Sequence, residues 1–184
     1  LPTPEARTAY WYNARAAWAL KLLALAGFPE RIGTEAFSAR PVPLDGRTMT
    51  LDEVDRLLAA DPDWRTVVAA PCALRLRARM PARPFSAEDI RGRIAERFED
   101  FIDDEEHFVI DVERRRVRIP PVIWQFRDRL IGGYHRRYGT QGATLTTALL
   151  PHVSGSAHRR LQDAVGYGCA EATARGEVDC RKGK

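Results

Sequence analysis

The residue most able to act as a nucleophile in this chain is Cys72, which follows the apolar run VVAAP. A thiol becomes nucleophilic when a nearby base removes its proton, and a third group usually orients that base. No histidine lies near Cys72 in the sequence, so the base would have to come from elsewhere in the chain; His107, at the start of a predicted hairpin, and His135, after a Gly pair, are the better candidates. The pattern allows a thiol-dependent hydrolase or transferase, but a cysteine at the end of a buried segment is also commonly a small core residue.

A row of arginines follows Cys72 in the segment RLRARM, where charged and apolar residues alternate. Strict alternation is typical of a strand with one buried face, so we expect Arg75, Arg77 and Arg79 to lie on one side of a strand. Guanidinium groups gathered in this way favour a carboxylate or phosphate, which they bind through charge-assisted paired hydrogen bonds. The alternative is a solvated strand face whose charges protect a sheet edge from pairing.

The segment AYWYNARAAW, residues 9–18, places an amide and a guanidinium among the aromatic side chains of a predicted buried helix. A buried amide needs hydrogen-bond partners. We therefore expect Asn13, with Trp11 beside it, to have one of two roles. It either fixes the backbone of the segment Pro71–Cys72 or faces the cleft that would contain Cys72. Arg15 is predicted to point to solvent or to pair with an acid such as Glu5.

The charge of the chain excludes few classes of protein. The chain has 184 residues, a net charge of +4 and a pI of about 9.2. Arginine supplies nearly all of the positive charge, and a planar guanidinium suits carboxylate or phosphate groups. An excess of this size does not demand a nucleic-acid partner, and the basic runs lack the interleaved aromatic residues of a stacking platform. No apolar run is long enough to span a membrane.

The cysteines and histidines show no spacing typical of zinc ligands, so we expect neither a metal nor a cofactor. Cys169 and Cys180 lie close enough in sequence to form a disulfide if the protein is exported. Cys72 would then be the remaining thiol.

Capping signals and helical spacing predict three well-defined helices. Thr50 stands three residues before Glu53, which is the spacing of a capping box for the helix in TMTLDEVDRLLAA. Ser86 is the expected N-cap of the helix in SAEDIRGRIAERFEDFIDD. The long helix over residues 4–26 is predicted to bury one face that carries Trp11, Ala14, Trp18, Leu22 and Leu25.

The strands and the remaining helices complete a predicted α+β fold, with a helical body packed on a small, mainly antiparallel sheet. Residues 64–70 are predicted as a buried strand, residues 107–119 as a β-hairpin, and residues 28–45 as an irregular loop. The helix after Pro121 is expected to break at Gly132 and Gly133, with two short helices following over residues 144–153 and 156–175. One domain is expected over residues 1–175, followed by a polar tail over residues 176–184.

The ordered set of these segments resembles the family known as domain of unknown function 547. The resemblance covers roughly residues 3–165 and rests on the order and spacing of AYWYNARAAWAL, GRTMTLDEV, VVAAPCA, RPFSAEDI and PPVIWQFRDRL. It implies a bacterial protein, and because members of the family are frequently exported it favours export, although the chain itself leaves the compartment open. It also implies a polar site of Asn, His and Cys that looks thiol-dependent.

The polar positions of the family are only partly kept. Trp11 and Asn13 match the motif of the first helix, and Cys72 matches the first cysteine. Arg56 stands where the family has a histidine in the capped helix, and the position of the second cysteine falls on Arg77. The resemblance therefore implies a retained scaffold with altered site chemistry.

The expected function is that of a non-catalytic or altered-site domain. It would bind a small carboxylate or phosphate ligand, or a protein partner, in a cleft lined by Asn13, Trp11, Arg56, Arg75, Arg77 and Arg79. The alternative is the thiol-dependent hydrolase or transferase that uses Cys72 with His107 or His135.

Overall fold

The structure, a computed structural model, describes residues 3–27, 39–71 and 80–172. The chain forms two compact units, Leu1–Glu96 and Arg97–Ala174. The boundary falls within one helix, and each unit is described by itself. The expectation of a single domain over residues 1–175 stays a prediction.

The first unit opens with the helix α1, Pro4–Leu25, as predicted. The Thr3 side chain caps it by accepting the Ala6 N–H at 3.0 Å, and Pro4 occupies the first turn, where its missing N–H costs nothing. The predicted buried face was only partly right. Trp11 and Leu22 are buried, but Leu25 is 61% exposed, and the buried stripe instead includes Arg15.

A short β-hairpin follows, formed by β1, Val42–Leu44, and β2, Arg47–Met49. Its turn places Asp45 and Gly46 at φ values of 54° and 73°, a left-handed conformation that glycine and aspartate tolerate. The predicted irregular loop over residues 28–45 therefore contains a strand at its end, and residues 28–38 lie outside the described residues. The core beside this hairpin consists of Ala19, Leu22, Leu23, Val42 and Leu51, with Trp18 and Met80 packed against it.

The helix α2, Leu51–Ala59, confirms the predicted capping box between Thr50 and Glu53. The next element, α3, Arg65–Val68, is a single helical turn, so the prediction of a strand over residues 64–70 was wrong. The apolar run VVAA is buried as expected, but a short run of this kind does not distinguish a strand from a buried turn of helix. The predicted strand of RLRARM lies almost wholly outside the described residues.

The helix α4, Ile90–Asp103, contains the boundary between the units. The predicted cap at Ser86 is present as a hydrogen-bonded turn just before it. The Ser86 N–H donates to Asp89 Oδ1 at 2.9 Å, and the Asp89 N–H donates to Ser86 Oγ at 3.3 Å.

The second unit contains a three-stranded sheet with the order β3-β4-β5. The strands β3, Val109–Asp111, and β4, Arg116–Ile119, pair antiparallel and confirm the predicted hairpin. The strand β5, Gly168–Glu171, pairs parallel with β4. The helix predicted over residues 156–175 was therefore too long, because the observed helix ends at Asp163. The α+β class is confirmed.

The helices of the second unit are α5, Pro121–Trp124; α6, Arg127–Tyr138; α7, Leu145–Leu149; and α8, Gly155–Asp163. A 3₁₀ turn over Leu150–His152 joins the last two. The helix α6 continues through Gly132 and Gly133, so the predicted break was wrong, and it ends at Gly139, whose φ of 64° makes it a left-handed cap.

Candidate functional site

Arg15 is buried in the first unit and forms an ion pair with the part-buried Asp55. Its side chain is 1% exposed, its Nε lies 2.5 Å from Asp55 Oδ1, and its Nη2 lies 3.0 Å from Asp55 Oδ2. Its Nη1 donates to the carbonyl of Pro71. The planar guanidinium thus ties α1 to α2 and to the residue that precedes Cys72, in the paired geometry that arginine favours with carboxylates.

The predicted environments of Arg15 and Asn13 both need correction. Arg15 was expected at the surface or beside Glu5, but it is fully buried against Asp55. The backbone at Pro71 is held by Arg15 and not by Asn13. The reason is helical geometry, because Arg15 lies in the same stripe as Tyr12 and Ala19, whereas Asn13 is turned aside from it.

Asn13 instead holds the backbone of Phe85. Its Nδ2 donates to the Phe85 carbonyl and its Oδ1 accepts the Phe85 N–H, both at 2.8 Å. The amide thus satisfies both polar groups of one residue, as a neighbouring strand would. Asn13 thus fixes a backbone segment, but at Phe85 and not at Pro71 as predicted.

A groove of about 290 Å³ lies beside Trp11, between the start of α1 and the end of α2. Trp11, which was predicted to bind ligand, is 8% exposed and lines this groove, whereas Asn13 does not. Most of the described lining is apolar, and its described members are Pro4, Arg7, Thr8, Trp11, Leu57, Leu58, Ala60, Asp61, Pro62 and Arg91.

Asp61 organises the polar side of the groove. It accepts hydrogen bonds from Arg91 Nη1 at 3.0 and 2.9 Å and from the Asp63 N–H at 2.9 Å, and the Thr8 hydroxyl lies 3.1 Å from its Oδ2. The Nε of Arg91 also lies 3.4 Å from Glu5 Oε1. Burial would lower the pKa of Arg91, but Asp61 and Glu5 outweigh it and raise that pKa above its ordinary value. Arg91 therefore stays protonated, and its positive charge is paired with the carboxylates of Asp61 and Glu5.

Arg7 is the remaining charged residue of the lining. It is exposed, and its side chain makes no hydrogen bond or ion pair with any residue in the described ranges. It lies near the N-terminus of the long helix α1, where the helix dipole favours anions. With Glu5, which contacts Arg91, the two arginines and two acids around the groove balance, so Arg7 is distinguished by having no acidic partner among the described residues.

The four arginines predicted to line a cleft are not found together in the described part of the structure. Arg56 is exposed on α2 and is not part of the groove lining. Arg75, Arg77 and Arg79 lie outside the described residues, as does Cys72. The arginine-lined cleft stays a prediction.

The candidate bases for Cys72 belong to the second unit. His107 is buried, its Nδ1 lies 3.2 Å from Asp104 Oδ2, and its ring stacks on Phe101 with centroids 4.8 Å apart. The Nε2 of His135, on α6, is buried without a hydrogen-bond partner among the described residues. Cys169 is a free, part-buried thiol, and its proposed partner Cys180 lies outside the described residues.

Sequence reasoning missed Arg7, Asp55, Asp61 and Arg91. A signal for Asp61 was available in the segment DPDW, because Asp and Pro at a helix end are typical of a turn held by side-chain hydrogen bonds. Nothing local indicated that Arg91, thirty positions further along, would meet it.

Within the described ranges, no cluster of His, Cys, Asp and Glu is arranged to hold a metal ion. None of the helices described there has the length and apolar character needed to cross a bilayer. In comparisons with known proteins, no family model matches the chain, and no curated protein or solved structure is similar enough to match it.

Proposed function

We propose that this chain is a non-catalytic ligand-binding domain with the scaffold of the domain-of-unknown-function 547 family, and that its site is the groove beside Trp11. The observation that supports this most is the lining itself. A tryptophan, two leucines and two prolines form apolar walls, and a fixed Arg91–Asp61 pair forms a polar side. Concave sites with apolar walls and a few placed polar groups are typical of small-molecule binding.

The size of the groove favours a small ligand over a protein segment. Its volume of about 290 Å³ is at the lower end of the range for small-molecule pockets. Leu57 is 41% exposed although it contributes to the wall. A ligand that covers such a side chain gains hydrophobic free energy of about 25 cal/mol for each Å² of apolar surface removed from water.

The residues of the lining favour binding without chemistry. None of its described members is a cysteine or a histidine. The Thr8 hydroxyl is buried between the Pro4 carbonyl, at 3.0 Å, and Asp61. Because this hydroxyl is buried and Asp61 is already held by Arg91, the pair does not offer the accessible nucleophile and free base that covalent catalysis needs.

The proposal is tested by ¹⁹F NMR on the protein labelled with 5-fluorotryptophan. The sequence has four tryptophans, Trp11, Trp18, Trp64 and Trp124, so the last three serve as internal controls. We expect members of a fragment library of small apolar acids, amides and amines to shift the resonance of Trp11 in a saturable manner. If no member of the library moves that resonance, or if only Trp124 responds, the proposal is wrong.

One observation favours the second candidate, the thiol-dependent enzyme. Asp104 Oδ2 lies 3.2 Å from His107 Nδ1, which places a carboxylate beside this candidate base although the contact lacks the geometry of a hydrogen bond. This candidate requires that the thiol of Cys72 lies beside such a histidine. The pH dependence of the alkylation of Cys72 tests this requirement.

A further inference from the structure

We infer that the ligand of the Trp11 groove is a small carboxylic acid with an apolar body, whose carboxylate pairs with Arg7. This inference rests on the proposed function, because it names the chemical class that the same site would take. Its evidence is the distribution of charge around the groove.

The acid of the groove is already satisfied. Asp61 is 9% exposed and receives both close contacts of Arg91 Nη1, together with the Asp63 N–H and the Thr8 hydroxyl. A cationic ligand would have to displace these donors from a carboxylate that has little contact with water. The groove therefore disfavours amines.

Among the described residues that line the groove, Arg7 is the cation without an acidic partner. Arg91 divides its charge between Asp61 and Glu5, whereas the Arg7 side chain has no acidic partner among the described residues. A guanidinium offers two parallel N–H groups that match the two oxygens of a carboxylate. The nearby N-terminus of α1 adds a positive potential, which Glu5 in its first turn partly offsets.

The apolar walls restrict the acid further. Apolar surface that an inorganic anion would leave exposed to water can be covered by a ring or a short hydrocarbon chain. This surface is formed by Trp11, Leu57, Leu58 and Pro62. A volume of about 290 Å³ suits a molecule of roughly ten non-hydrogen atoms, for which we expect a Kd on the order of 1 mM or below. Phenylacetate and hexanoate have this size and chemistry.

The inference is tested by calorimetric titration of matched pairs: phenylacetate with phenylacetamide, and hexanoate with hexanamide. We expect each acid to bind about tenfold more tightly than its amide, the factor given by one charge-assisted hydrogen-bond pair that remains partly solvated. Arg7→Gln should reduce this preference to about twofold or less. Arg47→Gln, which removes the same charge from an exposed site outside the groove, should retain it.

The outcomes separate the two claims. If acid and amide move the Trp11 resonance and bind equally well, or if Arg7→Gln retains the preference, the carboxylate inference is wrong while the groove remains a binding site. If phenethylamine binds more tightly than phenylacetate, the charge argument is wrong. If none of these compounds binds and the resonance of Trp11 does not move, the proposed function itself fails.

Discussion

Arg15 and Asp55 form a two-point ion pair inside the first unit, with Nε to Oδ1 at 2.5 Å and Nη2 to Oδ2 at 3.0 Å. The guanidinium also binds the Pro71 carbonyl, so one side chain connects the first helix, the capped helix and the start of the segment that carries Cys72. A buried charge destabilises the folded state strongly unless its hydrogen-bonding and ion-pair partners are present. The pair therefore makes the position of Pro71 depend on the packing of two helices.

Removing Asp55 should destabilise the protein strongly. In Asp55→Asn the buried Arg15 charge keeps hydrogen-bond acceptors but loses the negative charge of Asp55, and we expect the free energy of unfolding to fall by about 3–5 kcal/mol. Urea unfolding followed by circular dichroism measures this change. The control is Asp63→Asn, in the Arg65–Asp63 pair, whose side chains are 26% and 24% exposed. There we expect a loss of about 1 kcal/mol or less. Equal losses in the two variants would contradict a special role for the buried pair.

Asn13 should act through the backbone of Phe85. Asn13→Ala leaves the Phe85 N–H and carbonyl without this partner, and we expect a loss of about 1–3 kcal/mol in the free energy of unfolding. Asn13→Asp is more informative, because the new carboxylate accepts the N–H but faces the carbonyl oxygen. That contact raises the folded-state pKa of the new carboxyl group above its unfolded value of about 3.9.

The sign of the pH dependence follows from that raised pKa. The protonated acid can donate to the Phe85 carbonyl, so its contribution is present below the unfolded pKa and is lost as the pH rises through the folded pKa. Urea midpoints of Asn13→Asp and the wild type, measured from about pH 3 to 7, should therefore converge at the acid end. A constant difference across this range would show that the Asn13–Phe85 contact does not carry the effect.

The capping box at Glu53 predicts a pH dependence of opposite sign. The Glu53 carboxylate accepts the Thr50 N–H at 2.6 Å and the Thr50 hydroxyl at 3.0 Å, and these bonds, the backbone one foremost, lower the pKa of Glu53. Its contribution to stability is therefore present above the unfolded pKa of about 4.3 and is lost as the pH falls through the lowered folded value.

Glu53→Gln provides the comparison, because glutamine keeps an acceptor for the cap but does not titrate. We expect the wild type to exceed this variant in urea midpoint near neutral pH and to lose that advantage below about pH 4. If the difference in midpoint is independent of pH, the hydrogen bonds do not set the pKa of Glu53.

The reactivity of Cys72 distinguishes the two candidate functions. A non-catalytic domain predicts that its alkylation by iodoacetamide rises with pH toward the ordinary thiol pKa of about 8.5. The rate is measured for each cysteine by peptide mass spectrometry, with the free thiol of Cys169 as an internal reference. A rate that is already maximal near pH 6, and that falls in His107→Asn or His135→Asn, would favour the thiol enzyme instead.

Local signals in the sequence predicted the elements whose stability is local. The Thr50–Glu53 box, the helix that begins at Pro4 and the hairpin around Arg115 all depend on contacts within a few residues, and each was found. The groove could be predicted only in part. Trp11 was identified, but Arg7, Asp61 and Arg91 come together from three helices or helix ends that are distant in sequence.

The wrong predictions have different physical causes. Glycine weakens a helix by about 1 kcal/mol per residue, but this cost does not end α6, which continues through Gly132 and Gly133 to the left-handed cap at Gly139. Residues 168–171 form a strand because they pair with β4, which no local pattern revealed. Arg15 is buried because Asp55 and the Pro71 carbonyl satisfy it, and neither partner could be located from the sequence.

The most direct test of the account is an isotope-filtered NOE spectrum of the labelled protein with unlabelled phenylacetate. We predict intermolecular NOEs from the ring protons of the acid to the indole of Trp11 and to the methyl groups of Leu57 and Leu58, which line one groove. NOEs confined to residues 97–174, or a bound acid that shows none to Trp11, would contradict it.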